Sequence, residues 1–249
     1  MANILSFDDG GYCFIRGVFP YSAGVRSLPG MAIERVRFHA VLPMQEGFEA
    51  IAAHLERLGR PRTALCACEL RSPAQFSDEA FAAFNARYVD TLRAWGLFRD
   101  GINPVARSNL VPIARAPDRE GFHAFSYTVP APGATPDFVI AGSGEVPEGR
   151  SNYRDHIIAK GDTSPAGLLQ KVRWVLAEQE RRLAALGRGW ADVTATQVYT
   201  VHDIHPFMAS ELVARGADGG GITWHHMRPP VVDLDYEMDC RGVALERVI

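Results

Sequence analysis

A short motif occurs twice in this chain. Leu55-Glu-Arg-Leu-Gly-Arg60 and Leu183-Ala-Ala-Leu-Gly-Arg188 stand 128 residues apart in a sequence of 249, about half its length. Each closes an apolar pattern of helical period: Phe48, Ile51, Ala52, Leu55 and Leu58 in the first copy, Leu169, Val172, Leu176, Leu183 and Leu186 in the second. Gly59 and Gly187 are the expected stops. A β-branched or apolar run follows in both, Thr63 to Leu70 and Val193 to Val201, each predicting a strand. Further helices are expected over 78–95 (Phe81, Phe84, Tyr88, Leu92, Trp95) and, shorter, over 205–215 (Phe207, Met208, Leu212, Val213).

Both halves then end on paired apolar runs. Ala106 to Ala114 precedes Phe122 to Val129, and Ile222 to Met227 precedes Val231 to Cys240, with Pro117-Asp-Arg-Glu-Gly121 and Arg228-Pro-Pro230 as hairpin turns between them. The stretch Pro130-Ala-Pro-Gly-Ala-Thr-Pro136 reads as a joint, so the expected division is 1–130 and 137–249. The fold class implied is α+β: two tandem sandwiches, each a mostly antiparallel sheet with helices on one face.

Composition narrows function by exclusion. A net charge of −3, without a basic stripe, argues against a nucleic-acid partner. No run approaches the roughly 18 apolar residues of a membrane helix. The N-terminal stretch shows neither a basic region nor a long apolar one, and Cys13, Cys66, Cys68 and Cys240 form no disulfide pattern, so a cytoplasmic protein with buried thiols is predicted. His202, His205, His225 and His226 lack the company of C-x-x-C or H-E-x-x-H, and no metal is expected.

Several segments resemble the YjgF/RidA family. Phe84-Asn-Ala-Arg-Tyr88 resembles its Phe-Asn-x-x-Tyr helix, Asn103-Pro-Val-Ala-Arg-Ser108 its Pro-x-Ala-Arg-Ser strand, and Phe138-Val-Ile-Ala-Gly-Ser-Gly-Glu145 its early strand ending in Ser-Gly. In two copies, with the strand Phe122-His-Ala-Phe-Ser-Tyr-Thr-Val-Pro130, the chain is similar to the bacterial 2-aminomuconate-type deaminases of aromatic catabolism. The resemblance implies two chorismate mutase-like domains, a homo-oligomer (trimer or hexamer), no cofactor, and a small carboxylate substrate: an enamine or imine hydrolysed with release of ammonia.

It also implies roles. Arg107 matches the arginine that grips the substrate carboxylate, a task suited to a planar guanidinium. Counted through the turn, His123 stands where the family's glutamate should be. In the second half the arginine position falls among Thr223, Trp224 and His225, while Asp235 best matches the glutamate, with Glu237 two residues on. A composite site drawing on both halves is therefore expected. Asp233, Asp235, Glu237 and Asp239 are expected on one strand face, repelling one another and raising their pKa values. A dicarboxylate substrate calls for a second cation, for which Arg150 and Arg154 are the candidates. Two alternatives remain: a chorismatase-like hydrolase, which also pairs such halves, and a non-catalytic ligand-binding relative.

Overall fold

A computed structural model describes residues 3–150 and 152–249; Met1 and Ala2, part of the N-terminal stretch read above, and Ser151 lie outside the described residues. The first half runs β1 (Ile4–Phe7), β2 (Tyr12–Ile15), β3 (Gly24–Ser27), β4 (Met31–Pro43), α1 (Met44–Arg57), β5 (Leu65–Arg71), α2 (Asp78–Ala94), β6 (Ala106–Pro112) and β7 (Gly121–Pro130). The second runs β8 (Phe138–Gly144), α3 (Pro165–Ala185), β9 (Ala195–Thr200), an irregular helical stretch over 205–215, β10 (Ile222–His225), β11 (Met227–Arg228), β12 (Tyr236–Gly242) and β13 (Leu245–Val248).

The repeated Leu-Gly-Arg motif is a helix stop in both copies. Gly59 and Gly187 adopt φ of 63° and 69°, which an L side chain resists. The following arginines reach back with their backbone N–H, Arg60 to the Leu55 carbonyl and Arg188 to the Leu183 carbonyl, each at 2.9 Å. Both helix ends thus have their last carbonyls satisfied in the same way. At the other end, Ser77 and Ser164 accept from the backbone N–H of Ala80 and Gly167, capping α2 and α3.

The strands form two sheets, ordered β1-β2-β3-β8-β12-β9-β10 and β11-β6-β5-β7-β4-β13. The quartet β6-β5-β7-β4 repeats as β10-β9-β12-β8, with the same parallel first pair and antiparallel remainder. The expected hairpins are a different structure: β5 lies between β6 and β7, and β9 between β10 and β12, so neither apolar pair is hydrogen-bonded to itself. The turns between them carry the chain over an intervening strand already in place.

The sheets also cross the expected division. β1 to β3 extend the second half's sheet through β3 and β8, while β11 and β13 extend the first half's sheet through β6 and β4. Outside the second sheet, α1 and α2 bury Phe48, Ile51, Leu55, Phe84, Tyr88 and Leu92 against it; outside the first, α3 buries Leu168, Val172, Leu176 and Leu183. A third apolar layer joins the sheets, with Phe14, Val25 and Ala141 from one and Ile33, Ala67 and Ala106 from the other. At about 25 cal/mol per Å² of apolar surface removed from water, these layers are the main force holding the halves together. All four cysteines are buried and unpaired. Among the described residues, no helix is long and apolar enough to cross a membrane.

Candidate active site

Arg107 lies on β6, on the face turned toward α2. Its Nη2 donates to Asn85 Oδ1 at 2.8 Å, and its guanidinium carbon sits 4.9 Å from the ring centres of Tyr21 and Tyr88 and 5.5 Å from that of Phe84. The Phe84-Asn-Ala-Arg-Tyr88 segment thereby has a purpose: positions one, two and five of that helix turn supply two rings and one acceptor to the same cation. Ring faces attract a cation, contributing about 2 kcal/mol when it is desolvated. They leave one arm of it unspent. Arg107 is 3% exposed, and its Nη1 has no hydrogen-bond partner in the protein.

Arg107 borders a small cleft, partly open to solvent, whose wall includes Tyr21 and Asn109 from the first half and Ser143, Glu148 and Glu237 from the second. Glu237 is buried on β12. Burial, then the carboxylates of Asp239 and Glu145, push its carboxyl well above the usual carboxylate range, with Arg182 and Arg107 opposing. Gly142, on the neighbouring β8, makes room for it: a β-carbon there would run into Glu237 Oε1. From behind, Arg182 of α3 donates to the carbonyls of Ala141 and Gly142 at 3.1 and 3.3 Å and pairs with Glu148 at 3.0 Å. The Tyr21 hydroxyl donates to the same glutamate at 2.9 Å, tying the first half's loop to the second half's wall.

The sheet register shows how the halves differ. Cys68 faces Arg107, and the residue 128 later, Thr196, faces Ile222, so the second-half counterpart of Arg107 is Ile222 and not one of residues 223–225. Tyr199 faces Glu237, and its counterpart Arg71 faces Gly121. The pairing of β5 with β7 slips between Glu69/Ala124 and Leu70/Phe122, which leaves His123 as the extra residue of a bulge. Its side chain lies off the cleft, and burial and then Arg71 push its pKa down to about 3.

Asp235 also stands apart from the cleft. It precedes β12 and is held by Lys171 at 3.1 Å, His202 at 3.1 Å and Arg228 at 3.7 Å. Lys171 is fully buried and pairs with Glu145 at 3.2 Å, whose oxygens accept the backbone N–H of Asp235 and Tyr236. These contacts fix the start of β12 and hence the position of Glu237. The expected four-carboxylate face is not formed: Asp233 has φ of 72° and pairs with Lys160, and only Glu237 and Asp239 belong to the strand. These two are alternate residues and share a face, and Asp239 accepts from Ser108 Oγ at 2.6 Å and Tyr199 at 2.9 Å.

Arg150 and Arg154 are exposed and outside the cleft wall, although Glu148 and Tyr153 of the same loop line it. Tyr21, Asn109, Glu148 and Arg182 are not among the candidates that the sequence offers. Of these Asn109 carried a usable signal, since side chains two apart on a strand share a face and Arg107 was already singled out.

A sequence profile described as "2-aminomuconate deaminase CnbZ" matches residues 4–247. A 2-amino-5-chloromuconate deaminase of Comamonas testosteroni is 48% identical, with both chains covered completely. Among solved structures, a chorismatase aligns over 97% of this chain and 79% of its own at 13% identity and a TM-score of 0.47. The YjgF protein of E. coli aligns over 43% and 80% at 16% identity and a TM-score of 0.31. With a profile spanning nearly the whole sequence and a full-length relative at this identity, the chain belongs to the 2-aminomuconate deaminase family.

Proposed function

We propose that this protein hydrolyses the enamine of a 2-aminomuconate-type dicarboxylate, releasing ammonia and leaving a 2-oxo acid. One observation carries the reading: an arginine with an unspent arm from one half and a buried carboxyl with a raised pKa from the other line the same cleft. Arg107 takes a substrate carboxylate. Glu237, as the neutral acid, gives its proton to the enamine carbon, and the nitrogen's electron pair moves to form the iminium. The resulting Glu237 carboxylate then removes a proton from water as the water oxygen bonds to C2. That proton passes to the amino nitrogen, the C–N bond breaks as the C2 hydroxyl becomes the carbonyl and returns its proton to Glu237, and ammonia leaves. Atoms and charge balance with one water consumed, and the cycle uses proton transfer alone, without a metal or organic cofactor.

A carboxyl suits this sequence because its pKa is raised toward the working pH, where both proton donation and recovery are accessible. The familial relatives named for 2-aminomuconate and its chloro derivative agree with a carboxylate anchor beside an acid. The test is ammonia release, together with loss of near-ultraviolet absorbance, from freshly generated 2-aminomuconate. R107A and E237Q should each lower turnover by about 10²- to 10⁴-fold. Turnover within a few-fold of the parent in both variants would rule out the assignment.

A further inference from the structure

We propose that Asn109 is the second arm of a carboxylate fork, binding one oxygen of the substrate carboxylate while Arg107 binds the other. The inference rests on the carboxylate site placed at Arg107 and extends it to a residue with no assigned role.

Asn109 and Arg107 are alternate residues of β6 and therefore project to the same side of the strand. Both border the cleft, and both are 3% exposed. Each keeps one buried nitrogen without a partner in the protein, Nη1 of the arginine and Nδ2 of the asparagine. A buried donor left unpaired is costly, so two converging on one cleft indicate a ligand that accepts from both.

The orientation of the amide is also fixed. Ser72 Oγ donates to Asn109 Oδ1 at 3.0 Å, and the Ser72 backbone N–H is itself bonded to the Leu110 carbonyl at 2.9 Å. With its oxygen held, the amide has Nδ2 as its free donor on a residue that lines the cleft. Arg107 cannot close on a carboxylate with both arms equally free, because Nη2 already donates to Asn85. A carboxylate on Nη1 has a second oxygen to satisfy, and Asn109 offers the donor. The chemistry selected is a planar anion with two acceptors, placed with its carbon chain running toward Glu237.

Steady-state kinetics with 2-aminomuconate separate this role from a structural one. N109A should raise KM by about 10- to 100-fold with kcat within a few-fold, the signature of lost binding common to ground and transition states. N109D, of the same shape but with a negative charge beside the substrate's own, should raise KM further. S72A leaves the amide in place but unheld and should raise KM by a smaller factor. Binding of muconate, an unreactive dicarboxylate, followed by calorimetry should weaken in the same order. Melting temperature confirms folding, and if N109A fails to fold, N109D and S72A decide the matter. KM and muconate affinity within two-fold of the parent in N109D and S72A overturn the fork, provided R107A is inactive. Full turnover in R107A and E237Q instead overturns the function, whatever Asn109 does.

Discussion

Glu237 is held in a state that costs the fold something. Its carboxyl is buried near Asp239 and Glu145, so the neutral form is favoured in the native protein more than in the unfolded chain. The stability this gives is complete below the ordinary carboxylate pKa and is lost as pH rises toward the raised native one. E237Q, neutral at every pH, should therefore melt higher than the parent at pH 8 and about equally at pH 4. Each kcal/mol gained should appear as about 2–4 °C in a calorimetric scan. The activity of the parent should fall on the alkaline side, as the acid form is titrated away. Gly142 gives a sharper test, because the obstacle to a side chain there is the movable end of Glu237 and not backbone. G142A should fold normally, measured by circular dichroism, and lose about 10²-fold in kcat through a displaced carboxyl. At this scale Arg107 was legible because an arginine in an apolar strand needs a reason. Glu237 was named but ranked behind Asp235, since residue counting assumes an unbroken strand. The strand begins only at Tyr236, and buried Lys171 claims Asp235, a contact between elements far apart in sequence. His123 was misplaced by the same assumption, through a one-residue bulge.

Helices were the most readable elements, because their apolar period and glycine stops are local properties. Expected over 78–95 and around the apolar positions Leu169 to Leu186, α2 and α3 occupy Asp78–Ala94 and Pro165–Ala185. The earlier start of α3 follows from Ser164 and Pro165, a capping hydroxyl and a residue whose missing N–H costs nothing in the first turn. Gly187→Ala would force a β-carbon into the left-handed region at an open surface position, and should destabilise by about 1 kcal/mol without affecting kcat, as read from urea melts. Strand pairing was less readable. A turn between two apolar runs looks the same whether they pair directly or straddle a third strand, and only the prior presence of β5 or β9 decides. The polar contacts between strands were invisible for a similar reason. Arg35 pairs with Glu69 at 2.5 Å and Glu246 at 3.0 Å, joining three strands no local pattern connects.

For the whole molecule, the duplication visible in sequence is a repeat of topology but not of independent parts. Separately expressed, residues 1–134 would carry β1 to β3 without β8 and leave β4 and β6 without the strands that cover their edges. Each half alone should show no cooperative unfolding, whereas the two halves produced together should recover a folded and active complex. Cooperative melting of an isolated half would contradict this. The exchange of strands also has a consequence in time. On a ribosome the first half emerges with its sheet open along β4, and that edge stays open until Leu245 to Val248 of the second half arrive to pair with Glu34 to Arg37. A nascent or truncated chain lacking β13 therefore presents a bare strand edge to its neighbours, and that short strand acts as the sheet's protection against aggregation.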